Sequence, residues 1–206
     1  MTFDPTVYEP AEDSELLAAA AREHLTAGDH VLDVGTGSGY VAGAAATTGA
    51  SVVASDLNPH ACRRARGRVG DDADRETTTA TPGESGERAV EPVDVVRADL
   101  LAPFRDATFD VVLFNPPYLP TDPEDERTDW MATALSGGES GRAVIARFLA
   151  DLPRVLAPEG DALLLVSTLT DVEAVVGLAD DAGFAAVAVR ETSFPFETLT
   201  VLKLVW

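Results

Sequence analysis

The run Val111-Val112-Leu113-Phe114-Asn115-Pro116-Pro117-Tyr118 decides how the rest of the chain is read. Four apolar residues followed by a turn signal fit a strand buried on both faces, as in a parallel sheet. The prolines end the strand, because neither can donate a ladder hydrogen bond. Open α/β sheets bind ligands at the carboxyl ends of their strands, where Asn115 stands. The Asn115 carboxamide oxygen and the Pro116 carbonyl are both acceptors, suited to the two hydrogens of a planar NH2 group. Tyr118 adds a flat aromatic face. The same residues also fit an ordinary strand-ending turn with a packed tyrosine.

Working outward, Val31-Leu32-Asp33-Val34 reads as a second buried strand. It runs into Gly35-Thr36-Gly37-Ser38-Gly39 and an alanine-rich helix to about Thr47. Glycines at alternate positions let the backbone turn tightly and a ligand approach closely. Tyr40 stands where a dinucleotide fingerprint needs glycine, and a phosphate-loop lysine is missing from the loop. The loop therefore suits a nucleoside without a pyrophosphate, and Asp33 is placed to pair with a cationic amino acid moiety. Ser51–Ala54 is the next strand, and Asp56 at its end fits a ribose-binding acid or a turn that caps the following helix. Asp99-Leu100, after a strand at Val93–Val96, fits an acceptor for an adenine amine beside an apolar ring cover, or a turn acid.

The remaining segments follow the same alternation. Residues 1–27 form an N-terminal extension and a helix from Ser14 to Leu25, which Asp13 or Ser14 is placed to cap. Residues 70–92 read as a flexible acidic loop, and residues 119–138 as an acidic loop placed to lie over the site. Arg142–Leu152 and Val172–Ala182 read as helices, and Ala162–Val166, Phe184–Val189 and Leu199–Val205 as strands. The last two strands are joined by a short link and so pair antiparallel. The expected fold is α/β: one domain over 1–206, doubly wound, its seven-stranded sheet mostly parallel with an antiparallel last strand.

Composition narrows the function. Fifteen basic residues face 35 acidic ones, a net charge of -20, and Lys203 is the only lysine. Acids spread along the whole chain fit a surface adapted to molar salt inside a halophile. No basic cluster favours nucleic acid. The apolar runs are too short to span a bilayer and no signal peptide is visible, which points to the cytoplasm. A single cysteine, Cys62, excludes an internal disulfide, and no metal site is expected. His60 reads as a surface residue.

These motifs, in this order, resemble the class I S-adenosylmethionine-dependent methyltransferases. Asp33 to Gly39 is similar to their first motif, and Asp56 and Asp99-Leu100 fall at the next two cofactor positions. Asn115 to Tyr118 resembles the signature of enzymes that methylate nitrogen on planar groups. Together with Tyr8-Glu9-Pro10-Ala11-Glu12-Asp13-Ser14 and Gly137-Gly138-Glu139-Ser140-Gly141-Arg142, it resembles the archaeal and eukaryotic branch of the HemK-like glutamine methyltransferases. The resemblance implies methylation of the glutamine in the Gly-Gly-Gln loop of a peptide release factor. It implies S-adenosylmethionine contacts from Ser14, Asp33, Gly35, Gly37, Gly39, Asp56, Asp99, Leu100 and Asn115. It implies that Asn115 and the Pro116 carbonyl hold the substrate amide, with Pro117 and Tyr118 beside them. It also implies a small zinc-binding activator subunit, for which the edge strand near Val93–Val96 is the expected contact. The rival readings are a methyltransferase for an exocyclic amine of adenine or guanine in RNA or DNA, and a non-catalytic scaffold.

Overall fold

The structure is a computed structural model that describes residues 5–79, 93–122, 124 and 129–206, with the backbone alone over 70–79. Its centre is a seven-stranded sheet in the order β3-β2-β1-β4-β5-β7-β6. The strands are β1 (His30–Val34), β2 (Ser51–Asp56), β3 (Asp94–Arg97), β4 (Phe109–Phe114), β5 (Leu156–Ser167), β6 (Ala185–Ser193) and β7 (Thr198–Val205). β7 alone runs against its neighbours β5 and β6. The helices are α1 (Glu12–His24), α2 (Tyr40–Ala46), α3 (Pro59–Thr79), α4 (Trp130–Leu135), α5 (Ala143–Val155) and α6 (Val172–Asp181).

Strand alternation sorts the core into two layers. Val31, Val111 and Leu113 face Leu16, Leu17 and the alanines of α1 and α2. Leu32, Val112 and Phe114 face Ile145, Phe148 and Leu152 of α5 and Val175 of α6. The alanine face of α2 lets it lie close to its neighbours; at Gly39, which precedes it, a Cβ would come within 3.0 Å of the Ala65 backbone in α3. Both sheet faces are covered, which explains the near-continuous apolar strands.

This order has a switch point. From β1 the chain proceeds outward through β2 to β3; from β4 it proceeds the other way through β5. β1 and β4 are adjacent and parallel, with Val34 opposite Phe114. Their carboxyl ends, Gly35 and Asn115, therefore open side by side where the two crossovers diverge, and a crevice forms there.

Three expectations need correction. α3 continues to Thr79, so residues 70–79 of the supposed acidic loop are helical; residues 80–92 lie outside the described residues. No proline interrupts the chain between Pro59 and Pro82, and a helix nucleated by the buried Ala61-Cys62-Ala65 face extends cheaply. Neither Asp13 nor Ser14 precedes α1: Ala11 is the N-cap and both polar residues are buried in the first turn. The stretch 119–138 contains a helix, α4, whose N-cap Asp129 accepts from the Ala132 N–H at 3.0 Å. Strand β3 sits one residue later than expected and does occupy the sheet edge. Among the described residues no helix is long and apolar enough to cross a membrane.

Candidate active site

A cavity of about 290 Å³ fills the switch-point crevice. Its floor is the Gly35–Ser38 turn. Gly35, Gly37 and Gly39 all take positive φ, which side chains rarely tolerate. The turn is fastened to the end of β2: the Thr36 N–H donates to the Ser55 carbonyl at 2.9 Å, and the Gly37 N–H to Asp56 Oδ2 at 2.9 Å. The other Asp56 oxygen accepts from the Asn58 N–H at 2.8 Å. Asp56 is thus both a turn-capping acid and a cavity wall, and burial raises its pKa. Carboxylate oxygens retain further acceptor capacity after these bonds.

Asp33 lies deeper. It is 2% exposed, and its Oδ2 accepts from the Thr36 hydroxyl at 2.6 Å. Burial dominates its titration and pushes its pKa up to about 7, against the opposing pull of the Thr36 and Ala42 hydrogen bonds. A desolvated carboxyl of this kind gains most from a cation brought next to it.

The opposite wall comes from β4 and α1. The Asn115 carboxamide donates to Asp13 Oδ2 at 3.1 Å. The buried Asn115 Oδ1 has no partner among the described residues. Buried acceptors in native proteins are nearly always paired, so an orphan on a cavity wall fits a ligand donor. The other Asp13 oxygen accepts from the Ser14 backbone N–H and hydroxyl, and burial first, then the Asp13 charge, push the Tyr8 pKa up to about 12. Tyr118 lines the same wall, and its pKa is raised by burial first and then by Asp13 and Glu197. Both phenols are therefore neutral at any working pH.

The backbone of Tyr118 is clamped from behind. Leu119 N–H donates to Leu135 O, and Gly137 N–H to Leu119 O, each at 2.9 Å. A Cβ on Gly141 would come within 2.5 Å of the Tyr118 carbonyl, and Gly141 has φ +72. Only glycine fits there, which gives the Gly137–Arg142 motif a physical role. Arg142 closes the turn by donating to the Thr170 carbonyl at 2.7 Å. Trp130, Thr133 and Leu135 of the α4 region complete the cavity mouth.

Residues 32–116 match a family described as a methyltransferase domain. A Methanocaldococcus jannaschii protein named for N5-glutamine methyltransfer is 33% identical over 98% of this chain and 93% of its own. Human methyltransferase HEMK2 is 30% identical over 96% of this chain and 88% of its own. The chain belongs to the HemK-like glutamine methyltransferases. The E. cuniculi Mtq2 subunit, solved as an Mtq2–Trm112 complex that methylates the termination factor eRF1, superposes with a TM-score of 0.69 at 30% identity, covering 97% of this chain and 98% of that one. An Aquifex aeolicus SAM-dependent methyltransferase at 17% identity and TM-score 0.64, covering 100% of both chains, shares the fold.

For this HemK-like chain, nearly all the expected site residues meet at one place. Ser14, Asp33, Gly35, Gly37, Asp56, Asp99, Leu100 and Asn115 to Tyr118 all line the cavity. Gly39 does not; it serves the approach of α2 to α3 at Ala65. Asp99 is half exposed and paired with Arg147 at 2.9 Å, a contact the sequence did not announce. Sequence reasoning also missed Asp13 as the partner of Asn115, although Asp13 lies inside the quoted Tyr8–Ser14 motif. His60 is partly exposed, and its Nδ1 accepts from the Arg63 guanidinium at 3.0 Å. Among the described residues, no group of three His, Cys, Asp or Glu is arranged to hold a metal ion.

Proposed function

We propose that this enzyme uses S-adenosylmethionine to methylate the side-chain nitrogen of the glutamine in a release factor's Gly-Gly-Gln loop. The observation that carries the reading is the buried, unpartnered Asn115 Oδ1 beside the Pro116 turn, on the wall of a glycine-floored cavity. An amide NH2 is the donor pair that such a wall accepts. The relatives named for glutamine methyltransfer and for eRF1 methylation make the amide that of a termination factor.

The residues fit the cofactor by the chemistry of their donors and acceptors. Gly35 and Gly37 leave room for close approach, Asp56 offers acceptors to ribose hydroxyls, and Asp99 with Leu100 suits an adenine edge and face. Asp33, Ser14 and Asn115 border the space for the amino acid moiety. S-adenosylmethionine supplies an electrophilic methyl group when bound.

The chain's own task is then positioning. An amide nitrogen is a weak nucleophile because its lone pair is delocalised. Asn115 Oδ1 and the Pro116 carbonyl would accept its two hydrogens, fix its plane and raise its electron density, which is catalysis by orientation and electrostatics. Pro117 holds the turn and the Tyr118 ring packs against the flat amide. A strong base is not needed beforehand, because the nitrogen proton becomes acidic only after transfer.

A small activator subunit, with the zinc site the family resemblance implies, is the proposed partner, seated on the β3 edge. Incubation with methyl-labelled cofactor, activator and either purified release factor or total RNA tests the reading. Label in the release factor, at its Gly-Gly-Gln glutamine, is the expected result. Label in RNA alone would establish the exocyclic-amine reading, and label in neither would leave a scaffold.

A further inference from the structure

The turn that joins β6 to β7 holds an aromatic side chain out in water. Phe196 is 94% exposed, while Phe194, two residues earlier, packs against the core. The turn is not loose. The Phe194 N–H donates to the Glu197 carbonyl at 2.7 Å, and Glu197 Oε1 accepts from the Ser167 hydroxyl at 2.6 Å. The Thr198 N–H donates to Thr168 Oγ1 at 3.0 Å. These bonds tie the turn to the carboxyl end of β5, at the end of the sheet where the crevice opens. Two further apolar side chains continue from it to the cavity mouth. Leu169, in the turn Thr168–Thr170, is exposed. Arg142 donates to the Thr170 carbonyl, and Gly141 packs between Thr170 and the Tyr118 carbonyl. Leu119, next to Tyr118, is exposed and lines the mouth.

We propose that this edge, Phe196 with Leu169 and Leu119, is the docking surface for the folded protein that carries the acceptor amide, with Phe196 anchored in an apolar recess of that protein. The proposal rests on the reading of the cavity as the site of a protein-borne amide. Position and area carry it. β7 lies two strands from β4, a lateral step of about 10 Å. β5 runs three residues beyond Leu164, the partner of Phe114, which raises the turn by about another 10 Å. The turn thus stands roughly 15 Å from the end of β4, beside the mouth. A stable interface takes about 800 Å² from each partner, a disc of about 16 Å radius. A protein centred on the cavity therefore covers this edge, whereas a small amide or a free nucleobase does not reach it. Isolated exposed apolar residues are ordinary, but three along one rim form a patch of the kind that marks an interface. Aromatic anchors carry much of the energy of such interfaces, and a turn already fixed by hydrogen bonds need not be ordered on binding. The activator proposed for β3 sits at the opposite edge of the sheet and does not compete for this one.

The test compares kcat and KM for purified release factor, using the full chain with its activator. Phe196→Ala is expected to raise KM by about tenfold or more, the scale of a truncated aromatic anchor, with kcat held within about twofold. Leu169→Ser should raise KM by less. Val187→Ser changes another exposed apolar side chain, further along β6 and away from the turn, and should leave both constants as they are. Binding of S-adenosylhomocysteine should be the same in every variant, because none of the three side chains lines the cavity. An unchanged KM in Phe196→Ala, a loss that falls on kcat alone, weakened cofactor-product binding, or an equal rise in Val187→Ser would each overturn the docking edge. A wild type that labels RNA alone, or nothing, would instead overturn the proposed function and the edge with it, which separates the two failures.

Discussion

Asn115 and Asp13 form a donor–acceptor pair at 3.1 Å that decides which way the Asn115 amide points. A carboxylate can only accept, so the NH2 end must face Asp13 and the oxygen must face away. Asp13 is in turn held by Ser14, whose backbone N–H and hydroxyl both donate to its Oδ1, and by its place in the first turn of α1. The N-terminal motif thus orients the active-site motif: its acid selects the Asn115 edge offered to the acceptor.

Two substitutions test that relationship. Asn115→Ala should keep the fold and lose on the order of hundredfold in kcat, as when a fixed electrostatic stabiliser is removed. Asp13→Ala leaves Asn115 in place but frees its amide to flip. Its loss should fall mainly on kcat, at about tenfold or more. Circular dichroism with single-turnover methylation checks both. Near-normal turnover by a folded Asn115→Ala would remove Asn115 from the mechanism.

The Asp33 carboxyl gives a pH prediction. Burial pushes its pKa from 3.8 up to about 7 in the folded protein. Below the unfolded value both states are protonated and nothing is lost. As pH rises toward about 7 the unfolded chain ionises first, so stability falls, and the loss is complete above the folded value. If Asp33 receives the ammonium of the cofactor's amino acid moiety, binding favours the ionised form. S-adenosylhomocysteine affinity should then climb with pH, by up to about tenfold per unit, and level off above about 7. Asp33→Asn should flatten that profile and raise the stability of the ligand-free protein near pH 8, by removing a buried charge. Calorimetric titration across this range decides it; a flat wild-type curve would take Asp33 away from the ammonium.

Much of this was legible beforehand because strand, glycine turn and acid recur in a fixed order. β1, β2 and β4 were placed to within two residues, since buried parallel strands read as uninterrupted apolar runs. The α3 extension was not legible: Gly70-Asp71-Asp72 looks like a loop, and only helix continuity overrides that composition. Nor was the inner ring of the site. Asp13 looked like a cap, because a Ser or Asp before an apolar helix usually is one. Its true partner lies 102 residues away. Glu197 meets Ser167 only because β7 inserts between β5 and β6, a topological fact with no local signature.

The surface charge makes a separate prediction. With a net charge of -20, self-repulsion grows as screening weakens. If the acidity is an adaptation to salt, the melting temperature should be lower at ~0.1 M KCl than at ~2 M. Sodium sulfate, which also strengthens hydrophobic burial, is not a clean substitute for KCl here. Equal melting curves in KCl would point instead to selection against polyanionic partners.

The partner prediction follows from the sheet edge. β3 pairs with β2 on one side, and among the described residues no strand lies on the other. Val96 is 37% exposed there, while Val93 and Val95 lean on the core. Unpaired edges invite association unless something blunts them. Arg66 does part of this by donating to the Val95 carbonyl at 2.7 Å. A single arginine satisfies one carbonyl and leaves the strand's form intact, so among the described residues it is the one side chain bonded to the edge that a subunit adding a strand by β-augmentation would displace. Val95→Pro should therefore disrupt the complex with the activator far more than Glu173→Ala on the distant α6. Proline also strains its own strand, so Val96→Asp is the gentler companion: it charges an exposed edge position without removing a backbone donor. Co-purification and circular dichroism separate lost binding from lost folding. The lone chain is expected to be poorly soluble or weakly active, and co-expression with the activator should restore it. A fully active lone monomer, or a complex unaffected by both edge substitutions, would place the activator on another face.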